Sequence, residues 1–244
     1  MKRRELLTGS VAAGISLGLT GSPILGGAPR VFAQASPLGL RDRKLLEIAK
    51  LQQEKAGSLL WRTDFVGIAD FGLRSSEPRF HFVNMDAGRV DSYLVSHGDG
   101  SDPEHDGWLN WFSNEDGSHC TSKGAYMTYG WYTGRYGTSI RLEGLEATNS
   151  NALDRAIVMH RAKYAEPEFL EKWGRLGRSN GCFAMSDADF KLALLHLGGG
   201  RVLYADSLGM RADGSIIPED QRREIEVLVP EQPTGFQQLN PGVY

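Results

Sequence analysis

Cys182 is one of only two cysteines in this 244-residue chain, and it stands in the stretch GRLGRSNGCFAMSD, residues 174–187. A nucleophilic thiol needs a base or cation that raises its thiolate fraction, exposure to substrate, and donors for the oxyanion formed when it attacks a carbonyl. His160 ends the apolar run AIVM upstream, and the loop between can fold back to bring its imidazole beside the sulfur. Gly181 allows close backbone approach, so the amides of Gly181 and Cys182 can point at one oxygen. A helix starting near Ser186 adds a modest field, because its dipole effect fades within a turn. Against this stands a bland reading, in which Cys182 is a small buried hydrophobe and His160 a satisfied core histidine. The Arg178-Ser179-Asn180-Gly181 lead-in suits a loop at a site better than a core strand.

Other residues compete for chemical roles. The loop SHGDGSDPEHDG, residues 96–107, gathers His97, Asp99, Asp102, His105 and Asp106. Imidazole and carboxylate suit zinc or calcium. Neither an H-E-x-x-H spacing nor a complete calcium-loop pattern is present, so a solvated loop without metal is expected. Tyr126, Tyr129, Trp131, Tyr132 and Tyr136 either line a groove for glycan or peptide or pack the sheet. Arg155, Arg175 and Arg178 can meet carboxylates bidentately, with a surface salt bridge the favoured role for Arg175.

These groups must be placed by a β-rich scaffold. Residues 40–56 carry apolar positions at helical spacing and end near Gly57. DFVGIADF (64–71), RFHFVNM (79–85) and RVDSYLVSHG (89–98) read as successive antiparallel strands. Residues 123–146 read as two strands around a glycine-rich bend. NSNALDRA (149–156) suggests a short helix capped by Asn149 or Ser150, leading into the buried strand AIVMHRA. EPEFLEKWG (166–174) is a second short helix with Pro at its start. Ser186 caps a third, closing at Gly198-Gly199-Gly200, and RVLYAD (201–206) is the last expected strand.

The N-terminus has a basic head (Lys2, Arg3, Arg4), a weakly apolar Gly-rich middle and the A-x-A site Ala33-Gln34-Ala35. This is an export signal over residues 1–35, and its paired arginines fit the twin-arginine type better than an ordinary secretory signal. The whole chain has net charge −3, and cleavage makes it more acidic. An acidic protein without a basic run is a poor nucleic-acid binder. No other stretch is apolar enough to span a bilayer. The expected organisation is signal 1–35, helix 36–60, main domain 61–209 and a partly irregular tail 210–244. Two cysteines in an oxidising compartment are expected to pair, unless one is a reactive thiol.

His160 followed by Ser179-Asn180-Gly181-Cys182 resembles the signature of the YkuD-type L,D-transpeptidases. The likeness extends over SHG (96–98), FSNEDGS (112–118), residues 121–146, residues 149–164 and GRLGRSNGCFA (174–184), in a divergent branch described as murein L,D-transpeptidase catalytic domains. The resemblance implies an α+β, β-rich fold, with antiparallel sheets in a sandwich-like arrangement and a few short helices. It implies a periplasmic, cofactor-free, monomeric enzyme whose donor and acceptor are peptidoglycan stem peptides. Cys182 would attack an L–D carbonyl, His160 would move the proton, the Arg161 carbonyl would orient His160, and Gly181 would help hold the oxyanion. His97, Ser179, Asn180, Tyr126, Arg155 and Arg178 would contact substrate. Carbapenems acylate the corresponding sulfur in the family.

The commoner pattern has His where Asn180 stands and a basic residue shortly after Cys, so substrate contacts carry over less directly than catalysis. Third-to-third and first-to-third linkages both remain open. A water-resolved variant would be an L,D-carboxypeptidase, and attachment of a wall-anchored protein would use the same acyl-enzyme. A non-catalytic wall-binding module would require loss of Cys182 or His160. A Cys120–Cys182 disulfide would silence the enzyme.

Overall fold

A computed structural model describes residues 38–134 and 137–228; the expected export signal, Tyr136 and the end of the tail lie outside them. Helix α1 (Leu40–Ala56) buries Leu45, Ala49, Gln52 and Ala56, a spacing that keeps all four on one face. It packs on β1 (Phe65–Asp70), whose Val66 and Ile68 meet Leu45 and Ala49. The other face of β1 looks into the main core with Phe80 and Phe82 of β2 (Phe80–Asn84). Because both faces are covered, β1 is almost continuously buried instead of alternating.

The remaining strands are β3 (Arg89–Tyr93), β4 (Trp111–Ser113), β5 (Gly124–Gly134), β6 (Gly137–Gly144), β7 (Val158–Arg161), β8 (Phe183–Met185), β9 (Val202–Asp206) and β10 (Glu226–Leu228). Eight of them form one sheet in the order β3-β2-β1-β9-β5-β6-β7-β8, while β10 and β4 make a separate pair. The large sheet curls until its two edges meet. Ser96, just beyond β3, bridges to Ala184 of β8, and its amide donates to the Ala184 carbonyl at 2.8 Å. Phe71, Phe112, Tyr126, Ile140, Met159 and Phe183 fill the inside of the curl. A fully buried aliphatic or aromatic side chain contributes about 1.5–3 kcal/mol. Two further α-helices are α2 (Pro167–Trp173) and α3 (Asp187–Leu197), and α3 seals the core with Phe190, Ala193 and Leu197. Among the described residues no helix is long and apolar enough to cross a membrane.

The protein is therefore a β-rich α+β fold whose layers come from one sheet curling on itself. Three details depart from the sequence expectations. Most neighbours pair antiparallel, but β1–β9, β7–β8 and β4–β10 are parallel. Residues 149–156 form successive turns instead of a helix. Asn149 spends its side chain on the Ala125 carbonyl (2.7 Å) and the Glu146 amide (2.9 Å), so it anchors the turn to β5 and does not cap a helix. The segment after Cys182 enters β8 before α3 begins, and Ser186 Oγ then accepts the Asp189 amide at 3.1 Å as the helix cap.

Candidate active site

The parallel pairing of β7 and β8 sets Met159 opposite Phe183 and His160 opposite Ala184. Met159 and Phe183 point into the core. Side chains alternate along a strand, so Val158, His160 and the residue just before Phe183, Cys182, share the opposite face. Carried one residue beyond the paired stretch, the register puts Cys182 opposite Val158, one diagonal step from His160.

His160 Nδ1 lies 2.9 Å from the Arg161 carbonyl. A carbonyl only accepts, so Nδ1 carries the hydrogen and Nε2 the lone pair. Burial pulls the His160 pKa below the ordinary value, against the opposing pull of that carbonyl. Burial pushes the Cys182 thiol up, opposed by the Val158 amide and the Arg155 charge. Both shifts favour a neutral thiol beside a neutral imidazole. Cys182 keeps 6% of its surface exposed, and its Sγ lies 3.7 Å from the Ala156 carbonyl.

The loop before Cys182 is held from several sides. Gly181 has φ +103°, and a Cβ there would lie 2.7 Å from the Cys120 carbonyl oxygen and 2.8 Å from Ile157 Cδ1. Only glycine fits that conformation and that gap. Ser179 is buried, and its Oγ donates to the Cys182 carbonyl at 2.6 Å. The Ser179 amide donates to the His97 carbonyl (2.9 Å), while the Asp99 amide donates to the Ser179 carbonyl (2.7 Å). The SHG stretch is thus hydrogen-bonded directly to the cysteine loop.

Behind that strip lies a buried network that sequence reasoning missed. Arg79 is fully buried and donates to the Val95 and Leu73 carbonyls and to His97 Nδ1 at 2.6 Å. A guanidinium only donates, so His97 carries its hydrogen on Nε2, which faces Asp102 Oδ2 at 3.2 Å. Burial, with the Arg79 charge, holds His97 down to about 4. Burial resists ionisation of Asp102, yet His97 and the amides of Asp106 and Gly107 hold its carboxyl below the usual range. Nothing local in the sequence marks Arg79 as buried.

These positions correct several expectations. His97 is sealed inside the wall, with its ring between Arg79 and Asp102, and it is its carbonyl that meets the cysteine loop. Tyr126 is core packing, its hydroxyl donating to the Ser122 carbonyl at 2.6 Å. Arg178 donates to the Asp102 and Pro103 carbonyls. Arg155 donates to the Ser113 carbonyl (2.8 Å), Ser122 Oγ (2.6 Å), Ser118 Oγ (3.2 Å) and the Cys120 carbonyl (2.7 Å). Both guanidinium groups therefore bind protein oxygens where substrate carboxylates were expected. Of the residues expected to touch substrate, Asn180 alone is exposed. Arg175 has no ion pair among the described residues, and its Nη1 lies 3.4 Å from the Trp173 carbonyl.

In the remaining aromatic set, Tyr129 donates to Glu143 and packs edge-on against Trp61, while Trp131 is exposed. Tyr132 pairs with Ser139, which pairs with His160, so register places Tyr132 on the His160 face. Cys120 and Cys182 are both free thiols. Among the described residues no three His, Cys, Asp or Glu side chains gather as a metal would need. Two adjoining cavities of about 200 and 270 Å³ lie beyond β9 under Arg222 and Arg223, and none of the residues around Cys182 lines them.

A family model described as L,D-transpeptidase catalytic domain matches residues 42–205. Comparison with curated proteins finds no match. Among solved structures, an L,D-transpeptidase from Mycobacterium smegmatis is 13% identical, with TM-score 0.37 and coverage of 59% of this chain and 58% of that one. L,D-transpeptidase 3 from Mycobacterium tuberculosis, in complex with a faropenem-derived adduct, is 13% identical, with TM-score 0.37 and coverage of 59% and 60%. Bd1075 of Bdellovibrio bacteriovorus is 12% identical, with TM-score 0.36 and coverage of 59% and 48%. The chain thus spans less than two thirds of the length of these solved chains.

Proposed function

The chain belongs to the family of L,D-transpeptidase catalytic domains, and from that premise we propose that it cross-links peptidoglycan stem peptides through a thioester on Cys182. The observation that supports this is the β7–β8 register, which sets Cys182 and His160 on one face with Nε2 as the basic nitrogen. His160 Nε2 takes the thiol proton as Sγ attacks the carbonyl of an L residue joined to a D residue. The amides of Gly181 and Cys182 hold the oxyanion. The C–N bond then breaks, and the departing amine takes the proton from His160. An amine of a second stem attacks the thioester, passes a proton to His160, and the thiol is regenerated as the new amide forms. Because the resting pair is neutral, His160 acts as a general base instead of partnering a preformed thiolate.

In this reading residues 1–35 are a cleaved export signal, residues 36–60 an N-terminal helix, residues 61–209 the catalytic domain and residues 210–244 the tail. The monomeric protein works in the periplasm. Asn180 and Tyr132 are the side chains best placed to meet the stem. Third-to-third and first-to-third linkages both fit the mechanism.

The test incubates mature protein, residues 36–244, and its Cys182→Ala variant with muropeptides of different stem lengths. Products are read by fragmentation mass spectrometry. Cross-linked dimers made only by the parent are expected, and fragment masses identify the donor bond. Shortened monomers alone would replace cross-linking by carboxypeptidase action. Identical, unchanged mixtures after thiol reduction would remove the role of Cys182.

A further inference from the structure

Arg155 stands five residues before His160, in the turn that leads into β7, and its guanidinium reaches across to the segment 113–122. Four oxygens of that segment accept from it: the carbonyls of Ser113 and Cys120 and the hydroxyls of Ser118 and Ser122. The Cys120 carbonyl is also the backbone atom against which Gly181 is seated. The cation and the cysteine loop therefore meet on the same oxygen. The next residue, Ala156, has φ +53°, a left-handed conformation that residues with a Cβ adopt uncommonly. Its carbonyl accepts from the Cys182 thiol at 3.7 Å. Strained backbone held by its surroundings tends to mark functional sites.

Resting on the reading that Cys182 is the nucleophile, we propose that Arg155 is its positioning residue: the guanidinium clamps the wall 113–122 to the β7 lead-in and holds a fixed cation against the cysteine loop, on the carbonyl where Gly181 is seated. Arg155 is not offered to a stem carboxylate, since its donors are taken by protein oxygens. The Val158 amide of β7 and Arg155 from the lead-in bear on the thiol, with His160 on the same strand β7; Tyr126, Cys120 and Asp116 bear on the guanidinium. When the S–H···O bond to Ala156 is lost on deprotonation, the cation offsets the charge left on sulfur.

The test reads the thiol without any wall substrate. In a Cys120→Ala background, which leaves one cysteine, Arg155→Gln and Arg155→Lys are compared with the parent. Iodoacetamide alkylation of Cys182 is followed by mass spectrometry from pH 6 to pH 10, alongside circular dichroism and thermal melts. Removing a neighbouring cation moves the alkylation inflection up by about one pH unit in the Gln variant. The thiolate fraction at pH 7 falls about tenfold. A more basic thiolate is more nucleophilic, so the alkylation rate falls by only about threefold. The Lys variant recovers the inflection but not the melting temperature, because an ammonium cannot span the same acceptors. Arg155→Met, which keeps the stem packed, is read in place of Gln if the Gln variant does not fold. Coincident profiles in folded parent and variant overturn the proposal, as does a Lys profile no closer to the parent than Gln. If alkylation shifts as expected while the parent makes no cross-links, the transpeptidase reading falls and the role of Arg155 stands.

Discussion

Replacing Gly181 by alanine tests the cysteine loop at its tightest point. At φ +103° an L residue is strained, at a cost of about 1–3 kcal/mol. The new methyl would also lie 2.7 Å from the Cys120 carbonyl oxygen, a backbone atom held in turn by Arg155. Overpacking of that kind adds about 1–3 kcal/mol. A domain of this size loses about 2–4 °C per kcal/mol, so the melting temperature should fall by on the order of ten degrees. If the loop escapes by rotating, the two amides leave the oxyanion, and one lost donor costs about 10²- to 10³-fold in acyl transfer. Two assays separate these effects. Muropeptide cross-linking needs the oxyanion donors, whereas iodoacetamide alkylation does not, so Gly181→Ala should lose far more of the first than of the second. Gly130→Ala is the control, because nothing lies within 4 Å of its added methyl and its φ is not positive; it should melt within about 2 °C of the parent. Gly181→Ala melting with the parent and cross-linking at full rate would refute both the rigidity of the loop and the assigned role of its amides.

Burial holds the His160 imidazole below the ordinary histidine value. The acid limb of kcat/KM should therefore inflect below pH 6.5, and an inflection at or above it in a pH–rate profile would contradict a neutral base. Asp70 is almost wholly buried, and that burial pushes its carboxyl up to about 6. Its folded pKa lies above the unfolded value, so its contribution is fully present below about pH 3.8 and is lost as pH rises through 6. The stability of Asp70→Asn relative to the parent should accordingly increase by about 2 kcal/mol from pH 4 to pH 7, read from melts across that range; a pH-independent difference would refute the sign. Ser186→Ala removes the acceptor for the Asp189 amide at the start of α3 and should cost about 1 kcal/mol. That is a melting-temperature fall of about 2–4 °C, and an unchanged melt would show that water replaces the cap.

The candidate nucleophile and base and the longer helices can be read from the sequence because their signals are local. A cysteine after glycine and a histidine closing an apolar run are readable residue by residue. α1 follows from its spacing, and α3 from a serine three residues before its bonded amide. Strands of three residues, such as β4, β8 and β10, have too few positions to show a period. The turns at 149–156 looked helical because the bonds that decide them run from Asn149 to Ala125, far away in sequence.

The sequence by itself determined which groups can react: one thiol behind a glycine, one imidazole, and a set of arginines and a histidine near them. Only the tertiary structure decided that Arg155 and Arg178 hold the wall. Arg155 finds its acceptors 33 to 42 residues away, and Arg178 finds Asp102 at a separation of 76. A guanidinium reads the same in sequence whether it will meet a carboxylate from solution or a carbonyl of its own chain. The curl that closes β3 onto β8 settles the matter, because it brings those oxygens within reach before any ligand arrives.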